Sequence, residues 1–126
     1  MQIKLIGCVP KPDLKTRGLI THEQANELMA LFKILGNNTR LRLIHALIRS
    51  DEMCVIDMAA AVEMKPQAVS NQLQRLVDKN ILKATRKGNN IYYRVVDSCV
   101  PDLIHLGLCL NEETVIPNNG SKSIDI

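Results

Sequence analysis

Aromatic side chains are nearly missing from this chain, with Phe32, Tyr92 and Tyr93 as the whole supply and no tryptophan. Its core must therefore be aliphatic, built from Leu, Ile, Val, Ala and Met. No apolar run approaches the ~20 residues that span a bilayer, and Met1 to Cys8 lacks the long apolar stretch of a secretory signal. A cytoplasmic protein without membrane contact is expected. Gly-rich phosphate loops, nucleophile elbows and HExxH pairs are also missing, so no enzyme is expected. None of the four cysteines forms a CxxC pair. In a reducing compartment Cys8, Cys54, Cys99 and Cys109 are read as free thiols or ligands, not as two disulfides.

What is present suits one compact domain. The chain has 126 residues, 46% hydrophobic and 23% charged, far from the composition of a disordered chain. Its net charge of +3 names no anionic partner by itself. Local charge says more. Between Lys65 and Arg94 seven cations stand against Asp78 alone, a local +6 that leaves the remainder net acidic.

Residues 1–20 hold Gly7, Pro10, Pro12 and Gly18 and read as an N-terminal arm. Thr21 with Gln24 is a capping-box pattern, and Ala25, Leu28, Met29, Phe32 and Leu35 then recur at helical spacing. After a break at Gly36-Asn37-Asn38, Leu41, Ile44, His45 and Ile48 mark a second helix ending near Ser50. A short helix fits Val55 to Val62. Pro66 opens the next, whose buried stripe is Val69, Leu73, Leu76 and Val77. Its other face carries Gln67, Ser70, Asn71, Gln74 and Arg75, rich in amides where a surface helix usually carries Glu and Lys. Two β-rich segments, 81–86 and 91–96, flank turn chemistry at Gly88-Asn89-Asn90. A last helix from Ser98 to about Asn111 is apolar around most of its circumference, as a dimer interface would require. Residues 21–112 thus form the domain, and 113–126 read as a disordered tail. There is no internal repeat.

Helices, an amide-faced helix and a basic-tipped hairpin, in that order, make a mainly α winged helix-turn-helix. Asn and Gln make paired hydrogen bonds to adenine in the DNA major groove, and Ser bonds either kind of base pair. Arg86, Lys87 and Asn89 at the hairpin tip are expected to meet phosphates or the minor groove, fixing register. A merely solvated face and a plain edge ribbon would explain each piece alone. Their consecutive order, with the local positive charge, favours double-stranded DNA as partner.

Four stretches carry a family resemblance: Leu35 to Leu43, Asp51 to Ala59, Ala68 to Leu76, and Lys87 to Tyr93. Through them Leu31 to Leu110 resembles the ArsR/SmtB family of metal-responsive winged helix-turn-helix repressors. The resemblance implies a homodimer built largely from the first and last helices, which binds an operator and releases it on binding inducer. It also implies two alternative metal positions. Cys54 matches the first Cys of the family's metal box, but Ile56 replaces the second, and Cys8 in the arm is placed to substitute for it. Asp97, Cys99 and Glu113 align with a zinc-type site across the dimer, while Leu110 replaces an expected His.

Cys99 and Cys109 lie about 15 Å apart along one helix and about 80° around it, too far to share a metal. Cys109 and Glu113 lie one turn apart on one face. An antiparallel helix pair would let Asp97 and Cys99 of one protomer meet the partner's Cys109 and the partner's Glu113, a set suited to zinc or cadmium. The inducer read from these groups is a thiophilic ion, Zn, Cd, Pb or As(III), and the fold itself needs none. The opposing view is that the cysteines are small buried hydrophobes. His22, His45 and His105 are left outside either site. Two other readings remain: a thiol or persulfide switch without metal, and a winged-helix protein-interaction module.

Overall fold

The computed structural model describes residues 13–112. After a turn at Asp13 to Arg17 come α1 (His22–Leu35), α2 (Asn38–Ser50), β1 (Met53–Cys54), α3 (Val55–Val62), α4 (Pro66–Asp78), β2 (Leu82–Lys87), β3 (Asn90–Val95) and α5 (Cys99–Glu112). Most of the arm and the whole tail fall outside the described residues.

Local chemistry sets the helix ends. The Gln24 N–H donates to Thr21 Oγ1 at 3.0 Å and the Thr21 N–H donates to Gln24 Oε1 at 2.9 Å, the reciprocal capping box expected of this pair. Asn37 caps α2 by accepting the Arg40 N–H at 3.0 Å. Gly36 between the two helices has φ −79°, so the left-handed region is not what it supplies. A Cβ there would sit 2.9 Å from the Phe32 carbonyl oxygen, and close backbone approach is the reason for glycine.

The core is aliphatic as composition requires. Leu43, Ile44 and Leu47 of α2 form one buried cluster with Met58 and Val62 of α3, Val69, Leu73 and Leu76 of α4, Ile81, Leu82 and Tyr93, and Val100 of α5. Two apolar faces lie outside this core, on the first and last helices from which a dimer is expected to be built. The stripe on α1 does not face this core: Leu35 is buried, but Leu28, Met29 and Phe32 are exposed. On α5 only Val100 is buried, leaving Leu106, Leu108 and Leu110 in solvent.

The sheet also differs from a plain hairpin. It has three antiparallel strands in the order β1-β3-β2, with Met53 opposite Tyr93 and Cys54 opposite Tyr92. A two-residue strand has no periodicity to read, so β1 exists only through its pairing. The hairpin turn is tighter than expected, because Asn90 already pairs with Lys87 and only Gly88 and Asn89 remain between the strands. Gly88 has φ +64° and Asn89 has no positive φ, the pattern of a type II′ turn, which shifts both strands by one residue from their expected limits.

Candidate nucleic-acid interface

α3, a three-residue turn and α4 form a helix-turn-helix. Glu63 takes the left-handed conformation at φ 58°, the Met64 N–H returns to the Ala59 carbonyl at 3.0 Å, and Pro66 starts α4 without wasting a donor. Val69, Leu73 and Leu76 then seat α4 in the core, and this anchoring turns the opposite face outward. Gln67, Asn71, Gln74 and Arg75 are exposed and Ser70 is half-buried.

The exposed amides are ordered along the helix. Gln67 Nε2 donates to Asn71 Oδ1 at 3.2 Å, and Gln74 Nε2 donates to Asp78 Oδ1 at 2.9 Å, each across one turn. Gln67 keeps its carbonyl oxygen and Asn71 its NH2 group for other partners. Together they offer the acceptor and donor that an adenine edge complements.

Next to α4 stands the wing, whose Arg86, Lys87 and Asn89 are all exposed. Arg86 lies opposite Ile91. Lys87 is engaged: its Nζ pairs with Glu52 Oε2 and lies 5.4 Å from the Tyr92 ring centroid. Beneath the wing Tyr93 is 5% exposed, and burial raises its phenol pKa above the ordinary value.

Sequence reasoning passed over one group. Arg40, partly buried near the start of α2, donates from Nε to Gln72 Oε1 at 2.8 Å and from Nη1 to the Ile34 carbonyl at 3.1 Å. Gln72 sits on α4 between the buried stripe and the exposed amides. The outward amides of α4 were legible without Gln72, but the partner that Gln72 finds in Arg40, 32 positions away, was not.

The expected metal ligands do not converge within one protomer. Cys54 is a half-buried free thiol at the end of β1 and at the N-cap of α3, where its side chain makes no capping bond. Asp97 Oδ1 accepts the Cys99 N–H at 2.7 Å, so this carboxylate caps α5. Cys109 is a free, exposed thiol whose Sγ lies 3.6 Å from His105 Nε2, which brings in a histidine left out of the expected set. Cys99 is disulfide-bonded, contrary to the expectation of reduced thiols throughout, and in that form it offers no thiolate to a metal. Cys8 and Glu113 lie outside the described residues. Among the described residues no three His, Cys, Asp or Glu side chains cluster to hold a metal ion.

Residues 37–84 match the model of the arsR family of bacterial regulatory proteins. The chain is 41% identical over 81 residues to a transcriptional repressor SmtB homolog of Synechocystis, covering 64% of this chain and 61% of that protein. It is 31% identical over 111 residues to the cadmium resistance transcriptional regulatory protein CadC of Listeria innocua, covering 87% of this chain and 93% of that one. The crystal structure of the AntR antimony-specific transcriptional repressor is 61% identical, covers 86% of this chain and 98% of its own, and superposes with a TM-score of 0.74.

Proposed function

The chain belongs to the arsR family of bacterial regulatory proteins, and from that premise we propose that it is a dimeric DNA-binding repressor which leaves its operator when a thiophilic ion binds. The observation that carries the DNA reading is the outward row of Gln67, Ser70, Asn71, Gln74 and Arg75 on α4, beside the basic wing tip of Arg86, Lys87 and Asn89. α4 reads base edges in the major groove, and the wing fixes register on phosphates.

A second copy of the chain accounts for the apolar surface. Leu28, Met29 and Phe32 on α1 and Leu106, Leu108 and Leu110 on α5 are large, exposed and carried by two helices of one subunit. Between α1, α2 and α5 lies an open groove of about 490 Å³, lined by Phe32, Leu41, Leu103, Ile104 and Leu108 among others. Burying this surface in a dimer sets the two α4 helices at a fixed separation, as successive major grooves about 34 Å apart demand. Among the described residues no helix is long and apolar enough to cross a membrane, and a DNA-binding regulator of this kind works in the cytoplasm without an enzymatic step.

The inducer follows from sulfur chemistry. Soft thiolates suit Zn, Cd, Pb and As(III), and the antimony specificity named for the 61% identical AntR adds Sb(III). Cys54 is the leading ligand, because it is a half-buried free thiol where β1 meets the helix-turn-helix. Cys8 completes that site, or Asp97, Cys99, Cys109 and Glu113 form another across the dimer once Cys99 is reduced. A coupling of about 1 to 3 kcal/mol between inducer and DNA is enough for release. The disulfide at Cys99 favours one second reading, a thiol-redox or persulfide switch without metal.

The deciding experiment is fluorescence anisotropy of reduced protein on its own promoter DNA, titrated with zinc, cadmium, lead, arsenite and antimonite, for wild type and Cys54→Ser. Release by one ion, abolished in the variant, is the expected result. Indifference to every ion, with release on mild oxidation, would transfer the reading to the thiol switch.

A further inference from the structure

Arg40 links three helices through one side chain. It belongs to the first turn of α2, its Nη1 donates to the Ile34 carbonyl in the last turn of α1, and its Nε donates to Gln72 midway along α4. The carbonyls at a helix C-terminus have no partner within the helix, and a cation there also meets the negative end of the dipole. Phe32 and Leu35 carbonyls are taken by the Gly36 and Asn37 N–H groups, and the Arg40 guanidinium takes that of Ile34.

Gln72 lies between the buried Leu73 and the exposed Asn71, at the edge of the stripe that seats α4 in the core, where a side-chain contact can add to that seating. A rotation that moves Gln72 away from Arg40 also moves Asn71 and Gln67 away from their outward direction. We propose that Arg40 is a positioning residue for DNA reading, which sets the rotation of α4 against the end of α1 through the Ile34, Arg40 and Gln72 contacts. The proposal deepens the repressor reading and rests on it. It also gives the apolar helix α1 a direct hydrogen-bonded route to the reading helix.

Lysine cannot do this work. Its ammonium is a single point charge, whereas the planar guanidinium sends two N–H groups to acceptors on different helices at once. Arg40→Lys therefore keeps the charge and removes the fork. Gln72→Met removes the acceptor at similar size, and Gln72→Glu retains it. All are measured in the full-length reduced protein against promoter DNA and a scrambled duplex of equal length, across a salt series.

Arg40→Lys and Gln72→Met are each expected to lower the ratio of specific to non-specific affinity by about tenfold, which corresponds to about 1.4 kcal/mol. The salt slope should stay that of wild type, because every phosphate-facing charge is kept. Gln72→Glu should keep the wild-type ratio, and the Arg40→Lys, Gln72→Met double variant should be no worse than either single. An unchanged ratio in Gln72→Met overturns the proposal, as does an equal loss in Gln72→Glu. So does a joint fall of both affinities with a shallower salt slope in Arg40→Lys, which would place Arg40 directly on a phosphate. If Arg40→Lys fails to fold, the contrast between the two Gln72 variants decides alone. A wild-type protein unable to distinguish the two duplexes would instead overturn the repressor reading.

Discussion

Lys87 at the end of strand β2 is held by Glu52, 35 residues earlier in the chain, in the one ion pair among the described residues. The pair joins the wing to the segment that leads into β1 and Cys54. A lysine already paired with a carboxylate brings fewer condensed ions off DNA than one that arrives unpaired. Replacing Arg86 by Ala should therefore weaken binding to all sequences and lower the salt slope by about one. Lys87→Ala should lower the slope by less, and Glu52→Gln should raise affinity for any duplex. Equal slopes for the Arg86 and Lys87 variants would show that Lys87 leaves Glu52 on binding.

Ser70 and Asn71 lie on the outward side of α4, and neither is part of the fully buried core. Their joint replacement by Ala should abolish discrimination between operator and random DNA while leaving thermal stability within about 1 kcal/mol of wild type. A bidentate pair between a side chain and a base supplies about 1 to 3 kcal/mol of discrimination. Unchanged operator affinity would remove α4 from the major groove.

Gly36→Ala places a Cβ 2.9 Å from a backbone oxygen that no side-chain rotation can move. The α1–α2 junction must shift, and unfolding should show a loss of about 1 to 3 kcal/mol. Gly88→Ala has open space around it but a φ of +64°, so about 1 kcal/mol is expected from backbone strain alone. Chemical denaturation separates the two, and a larger loss at Gly88 would contradict this order.

Tyr93 is neutral in its buried site and its pKa is raised by desolvation above the ordinary 10.0. For an acid raised in this way the folded state holds its proton longer than the unfolded chain. The stabilising difference is full below pH about 10 and is lost as pH rises from there through the folded pKa. Tyr93→Phe should flatten that alkaline decline in stability. An identical alkaline profile in the variant would assign the decline to another group.

The helices, the capping box of α1, the amide face of α4 and the basic wing were legible in the sequence, because each depends on residues within one or two turns of one another. The Thr21 capping box, Pro66 at the start of α4 and the stripe of Val69, Leu73 and Leu76 are of this kind. The family resemblance from Leu31 to Leu110 rested on the same local runs, and the matched region at residues 37–84 lies within it.

What only the tertiary structure decided involves partners far apart in the chain. β1 exists because Met53 and Cys54 find Tyr93 and Tyr92, and Arg40 reaches Gln72 across 32 positions. Periodicity identifies an apolar face but not what covers it. The stripes of α1 and α5 are apolar on sequence grounds alone, yet Phe32 and Leu110 point away from their own subunit's core. Long-range contacts depend on how elements dock, and docking is settled by packing of the whole core and not by any local run of residues.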